Sequence, residues 1–479
     1  MKKSNESTLS AYKNHFDISF DEFQRILNIS LSRGGDFAEI FLEYRIYDSI
    51  NMEEDIIKET AENISLGLGI RVISGEKTGY GYTNELSFDK IKKVAKTASS
   101  IASGNIQRKA RYPEPSYFPH NYYPISIAAH TAPLEKKISI IKKTYLAAKK
   151  YDQEIKKVKV SLTDQAQYIT IVNSEGLFIS DFRPLMKIVC FSIAEKEKKR
   201  EYGFSGAGGR VGIEYFQEKI NPEDLGKESA QEALDLLTAY PSPAGEMPVI
   251  LAPGHSGVMI HEAVGHLLEA DFIRKRTSIF WDKMNKKVGN SQINIYDDPN
   301  IPYFRGSYNI DDEGTIPKKT LLIEKGKVVG FLQDILSSKI MEMPLTGHGR
   351  RQDYSCLPIP RMSNTYIDEG NYSHEEIIKS VKKGFYACKY QGGQVEDSGK
   401  FTFSVNSGFL IEDGKLTAPV KQATLIGSNI DILNQIEMVG SDLKFSLQTG
   451  TCGKEGQSVP VTDGCPTIKI KRMTVGGSR

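Results

Sequence analysis

The sequence lacks most of what would place it in an extreme class. Its 479 residues hold only five cysteines, Cys190, Cys356, Cys388, Cys452 and Cys465, an odd number, far apart and without a C-x-x-C pair. A disulfide framework is thereby disfavoured, and reduced thiols in a cytoplasm are expected. No apolar run approaches the length needed to cross a bilayer, and the opening MKKSNESTLSAYKNHF follows its two lysines with polar residues instead of an apolar signal core. The expectation is a soluble, cytoplasmic protein with no membrane partner. An excess of one charge is missing too: 62 basic residues against 60 acidic ones leave a net +2, spread along the chain. That offers no field strong enough to imply a nucleic-acid partner.

What is present is length and pattern. The chain is too long for one ordinary core, and an α+β fold in two domains is expected. Residues 1–240 read as an α/β-sandwich-like domain with an antiparallel sheet. Helical apolar spacing marks 20–32, 88–102, 134–151 and 222–237, and strand patterns mark 38–44, 49–54, 62–73, 77–83, 157–164, 166–173, 177–183 and 186–195. Residues 104–133, rich in Pro, Tyr, Asn and His, keep no period and read as a connecting arm lying on a domain surface. The glycine-rich 203–212 does not fit G-x-G-x-x-G, since Val211 stands three positions beyond Gly208. AYPSPAGEMP resets the chain, and 241–479 reads as a β-rich, barrel-like domain.

The chemistry is concentrated in SGVMIHEAVGHLLEAD, residues 256–271. Pro253 and Gly254 break what precedes it, Ser256 can cap a helix opening at Gly257, and His261, Glu262 and His266 lie inside an apolar segment. Two imidazoles with a carboxylate between them suit a hydrolytic zinc site, but the spacing is H-E-x-x-x-H, not H-E-x-x-H. On an ideal helix, positions i and i+5 sit roughly 140° apart, so both rings reach one ion only if a π-type turn intervenes. Gly265 would ease such a turn. An undistorted helix would instead align Glu262, His266 and Glu269, a rival ligand set. A core helix with two hydrogen-bonded histidines is the plain alternative. Glu269, Asp271 and a loop thiolate are candidates for a third ligand, and Cys452 in TGTCGKEG has Lys454 nearby to depress its pKa.

The segments HEAVGHLLEAD, GHGRRQDYSCLPIPRMSNTYI, GGQVEDSGKFTFSV, PVKQATLIG, MVGSDLK, CGKEGQSVPV and TVGGS, in this order, resemble the TldD/PmbA metallopeptidases, also labelled modulators of DNA gyrase. The likeness extends to GGDFAEIF and GIRVISGEKTGYGY and covers most of the chain. The intact H-E-x-x-x-H is similar to the TldD type. The resemblance implies one zinc per chain held by His261, His266 and Cys452, with Glu262 as general base. It implies unfolded proteins or small peptides as substrates, and a homologous PmbA/TldE-type subunit or a second copy as partner. His348 is expected near the site as an oxyanion donor, with Arg350 and Arg351 gripping a substrate carboxylate or carbonyls, or else pairing with local carboxylates. Two other functions stay open: a non-catalytic regulatory subunit with a closed four-ligand metal, using Glu269 or Cys465, and a cysteine peptidase with Cys452 as nucleophile.

Overall fold

The computed structural model describes residues 12–104, 108–396 and 399–477. The opening residues 1–11 and residues 105–107 of the arm lie outside the described residues. The fold is α+β with several sheets.

The first large sheet is built on long antiparallel hairpins. Its main run pairs Lys77–Thr83, Ile56–Ser74, Phe37–Glu53, Ile155–Asn173, Leu177–Lys196 and Lys199–Gly209 in that spatial order. Where the alternation predicts separate strands at 38–44 and 49–54, one strand runs through. It is central, and its neighbours on both sides continue the ladder past Arg45 and Asp48 whatever the side chains do. The breaks expected near residue 165 and at Pro184 vanish for similar reasons. Asp164 stays in its strand because Lys137 reaches it at 2.6 Å, and Pro184 is carried within Leu177–Lys196 opposite Ala166.

Alternation then divides this sheet into two faces. On one face, Ala38, Ile40 and Leu42 pack with Phe23, Ile26 and Leu27 of helix Phe20–Leu31 and with Ile91 and Ala95 of helix Phe88–Ile101. Further along that face, Val158, Val160 and Leu162 meet helices Leu134–Lys149 and Pro222–Thr238. The glycine-rich stretch forms much of strand Lys199–Gly209, and a Cβ at Gly203 would lie 2.3 Å from the Ser229 carbonyl of the last helix. Gly203 therefore admits a helix, and Gly206 and Gly208 lie close against the neighbouring strand, so the stretch is filled by protein. On the opposite face, Phe41, Ile169, Ile171 and Ile179 pack against Ile310 from the second half of the chain.

In the second half, strands Gly245–Leu251, Lys383–Val395, Lys400–Glu412, Lys415–Ser428 and Ile468–Gly476 form a closed ring, sealed by the pairing of Thr424 with Gly476. The expected barrel is this ring alone. A separate six-stranded sheet includes Ile295–Asp297, Asn364–Ile367 and Thr462–Cys465, and the two-stranded hairpin of Thr451–Lys454 and Gln457–Pro460 stands by itself. One apolar core joins ring, sheet and hairpin, and residues 259–268 contribute Met259, Ile260, Ala263, Val264, Leu267 and Leu268 to it. The histidine-bearing segment is thus held on all sides by packing.

Candidate metal centre

The H-E-x-x-x-H segment is helical from Gly257, and it changes pitch where the spacing requires. Gly257–Ile260 is α-helical, and His261–Gly265 forms a π turn. Ser256 does not cap it: its side chain makes no capping bond, and it is buried with helical backbone angles. What fixes the start is close approach, since a Cβ on Gly257 would lie 2.5 Å from the Gly464 nitrogen of strand Thr462–Cys465. A widened turn releases carbonyls from the α ladder, and the Asn429 side chain donates to the one on Ala263. Gly265 gives room as well as pliancy, since a Cβ there would lie 2.0 Å from the Met362 sulfur.

The π turn brings both imidazoles to one side, with ring centres 5.1 Å apart and nearly perpendicular. The Cys452 sulfur, 186 positions further on, lies 3.2 Å from His266 Nε2. One donor atom from each of His261, His266 and Cys452 falls within 4.8 Å of the others. In a tetrahedral zinc site, ligand atoms stand roughly 3.3–3.7 Å apart, so the spacing of this set is close to what one ion requires. Cysteine and histidine are also the ligand types zinc selects. The donor chemistry fits.

Each histidine is oriented from behind. His261 Nδ1 lies 2.7 Å from Asp463 Oδ1 in an ion-pair contact and His266 Nδ1 lies 3.1 Å from Glu269 Oε2, a carboxylate backing of the kind found behind metal-binding histidines. Burial opposes charge on His266, but Glu269 and the Cys452 thiolate outweigh it and raise its pKa to about 10. The same contest, with Asp463 and Cys452, leaves His261 well above the usual imidazole range. Burial would raise the Cys452 thiol, yet the two histidines pull it well below its ordinary value. The shifts run in one direction, favouring a thiolate beside cationic imidazoles, and metal binding by such residues is coupled to proton release.

The rival set of Glu262, His266 and Glu269 does not assemble. Glu269 is behind His266 on Nδ1, and it is held by the Lys454 ammonium at 2.8 Å. Burial opposes its ionisation, but Lys454 and His266 bring its pKa down to about 2. Lys454 also reaches Asp271 at 2.7 Å, so its role is to neutralise these carboxylates, and the Cys452 thiolate owes its stability to the imidazoles instead. Cys465 faces the Ala252 carbonyl at 3.6 Å, and burial pushes its thiol up. Glu262 keeps 30 % of its side chain exposed, with Oε2 3.7 Å from His266 Nε2. It is the one carboxylate of the segment that is both beside the donor cluster and open to solvent.

Of the three residues expected at the substrate, His348 and Arg351 are bound to carboxylates, and Arg350 borders a cavity beside the hairpin. His348 is fully buried, with Nε2 2.9 Å from Asp297 and Nδ1 2.9 Å from Thr346. Neither nitrogen is left for an oxyanion, and the residue instead braces strand Ile295–Asp297. Arg351 is bound by Glu39 at 2.5 Å and by the Asp312 carbonyl, which is the carboxylate-pairing alternative. Arg350 holds the carbonyls of Met362 and Pro460 at 2.5 and 2.8 Å. Sequence reasoning missed Asp463 and Arg361. Arg361 is fully buried and donates to the carbonyls of Cys452 and Gln457, fixing the hairpin that carries the thiol. Neither has a local signature, because each acts on residues far away in the chain.

Comparison with known proteins agrees with this architecture. Models of the PmbA/TldA metallopeptidase family match residues 38–102 as domain 1, 129–237 as the central domain and 244–477 as the C-terminal domain. A metalloprotease TldD homolog from Haemophilus influenzae is 39% identical over 472 residues, covering 96% of this chain and 97% of that one. A zinc metalloprotease TldD homolog from Saccharolobus solfataricus is 28% identical over 446 residues, with 93% and 97% covered. In fold, the chain is similar to TldE from Thermococcus kodakarensis, with a TM-score of 0.75 at 20% identity, covering 95% of this chain and all of that one. Among the described residues, no helix is long and apolar enough to cross a membrane.

Proposed function

The chain belongs to the PmbA/TldA metallopeptidase family, and from that premise we propose that it is a zinc peptidase that hydrolyses unfolded proteins or small peptides. The observation that carries this reading is the convergence of His261, His266 and Cys452 beside a carboxylate, Glu262, that stays open to solvent. We assign those three residues as the ligands of one zinc per chain and Glu262 as the general base.

Zinc, when bound, would act as a Lewis acid and bring a water's pKa towards about 7. The chain's own residues do the rest. Glu262 accepts the proton of the attacking water and carries it to the departing peptide nitrogen; its position beside His266, outside the ligand set, leaves both oxygens free for this. Asp463 and Glu269 hold the rings so that each presents one nitrogen forward. Arg361 locks the hairpin, and with it the sulfur. One thiolate and two neutral imidazoles leave a divalent site near +1, suited to a developing oxyanion.

We propose that the substrate binds extended, by strand addition along the hairpin Thr451–Lys454 and Gln457–Pro460, which has no further strand neighbour among the described residues. We further propose a division of the chain at residues 240 and 241, a homologous PmbA/TldE-type subunit or second copy that encloses the cleft, and a cytoplasmic location, in keeping with five unpaired thiols. The test is Glu262→Gln. It should keep its zinc, measured by metal analysis, and lose about 10²–10⁴-fold in hydrolysis of an unstructured peptide. Full activity in that variant would remove Glu262 from the mechanism.

A second reading has one observation in its favour: the Cys452 sulfur 3.2 Å from His266 Nε2 is also the pairing of a cysteine peptidase. It requires activity that survives removal of metal by a chelator, and it leaves Glu262 and His261 without a task.

A further inference from the structure

A second polar site adjoins the hairpin on the face away from Cys452. There a cavity of about 360 Å³ lies between the first sheet and the hairpin. In the hairpin, Thr451 pairs with Pro460 and Cys452 with Val459, so neighbouring residues face opposite ways. Thr451, Ser458 and Pro460 border the cavity, and Val459 between the last two lines it as well.

Its walls are cationic, and the cations fall into two groups. Arg183, Arg351 and Arg45 face carboxylates, those of Asp312, of Glu39, and of Glu43 and Asp353 respectively. The two acids in the wall are committed as well, Asp312 to Arg183 and Asp164 to Lys137. Arg210, Arg305, Arg350 and Lys187 form the other group. Arg210 donates to the carbonyls of Ser307 and Pro184, Arg305 to the Gly450 carbonyl and Thr451 hydroxyl, and Arg350 to two carbonyls. These partners are neutral, and no carboxylate lies within salt-bridge reach of the four among the described residues. Burial, and then the neighbouring guanidiniums of Arg183 and Arg350, brings Arg210 down to about 9; burial likewise brings Arg305 to about 10. Buried like charges without counter-charge are costly unless a ligand supplies it.

We propose that this cavity is an acid-recognition subsite, in which Arg210, Arg305, Arg350 and Lys187 receive the side-chain carboxylate of an Asp or Glu in the bound peptide. The inference rests on the peptidase reading above. A peptide added as a strand beside the hairpin projects alternate side chains to its two faces. When one residue faces the triad, its neighbour faces the cavity. The substrate class is therefore unstructured peptides with an acidic residue adjacent to the scissile bond.

The test is binding of labelled peptides, read by fluorescence anisotropy, to the zinc-loaded Glu262→Gln protein, which holds substrate without turnover. A peptide with one Glu should bind about tenfold more tightly than its Gln counterpart, the worth of a desolvated charge-assisted contact. Lys187→Gln, at a half-buried position that tolerates change, should shrink that gap to about threefold or less, and Arg305→Gln should erase it, with circular dichroism confirming the folded state. Inorganic phosphate should weaken the Glu peptide and spare the Gln peptide. Equal affinities for the two peptides, or a gap that persists in both variants, would overturn the subsite. A gap removed by amidating the peptide C-terminus but not by Glu to Gln would overturn it in favour of a terminal carboxylate. Thermal stabilisation by phosphate that depends on Lys187, without any peptide preference, would overturn it in favour of a free anion. If the Glu preference holds while wild-type protein cleaves no peptide, the peptidase reading fails and the subsite stands.

Discussion

Two buried polar clusters of this molecule are built on opposite rules. In one, at the seam between the first sheet and the second half, Arg71 pairs with Glu39 and Glu313 at 2.9 and 2.6 Å, Arg351 with Glu39, and Arg183 with Asp312. Acids and bases there satisfy one another. In the other, donor atoms of His261, His266 and Cys452 converge, and the carboxylates of Asp463 and Glu269 sit behind the rings. The first cluster is complete within the chain and holds the halves together. The second, on the reading proposed above, would be completed by an ion. A buried polar group paired inside the protein is scaffold, and a set of donors aimed at one point is a candidate site.

The sharpest way to break this contrast is Arg71→Met, which leaves Glu313 without its basic partner in the interior and Glu39 with Arg351 alone. Loss of one partner of a buried pair should cost about 3–5 kcal/mol, read from the denaturant midpoint, while zinc affinity of the folded protein stays unchanged. An unmoved midpoint would show that the seam does not depend on its ion pairs. At the other cluster, Asp463→Asn should lower zinc affinity about 10–100-fold in competition with a chelator. Unaltered affinity would mean that His261 needs no support from behind.

The smallest effect concerns acid. Burial opposes ionisation of Asp312, but Arg183 and Arg351 outweigh it and hold its pKa below the usual carboxylate range. A depressed carboxylate stabilises the fold fully above its unfolded pKa of about 3.9, and that contribution fades as pH falls below it. Asp312→Asn should therefore flatten the acid limb of a melting-temperature profile below about pH 4, leaving the neutral region with a constant offset. A limb as steep as in the parent would assign acid unfolding to other groups.

Legibility differed by distance along the chain. Helix Phe20–Leu31 was readable because its apolar spacing sits within a few residues, and the structure adds a capping box of Ser19 and Glu22 at its start. The long strands were only half readable. Lys137 keeps Asp164 in register from a helix whose docking no strand pattern encodes. The tandem Arg350 and Arg351 show the same limit: identical residues side by side, one closed by Glu39 from the first sheet and the other facing neutral carbonyls at a cavity.

By itself, the sequence tied the pitch of the site to its choice of ligands. Five residues from His261 to His266, with Gly265 before the second ring, demand a π turn for the rings to share an ion, and the turn is there. Tertiary structure decided what meets those rings: Cys452 in front, Asp463 and Glu269 behind, Lys454 against the acids instead of the thiol, and His348 withdrawn to Asp297. The physical reason is that a helix's period is set by hydrogen bonds a few residues apart and is written locally. Contacts spanning nearly two hundred positions are set by the packing of sheets and a hairpin, which no single stretch of residues specifies.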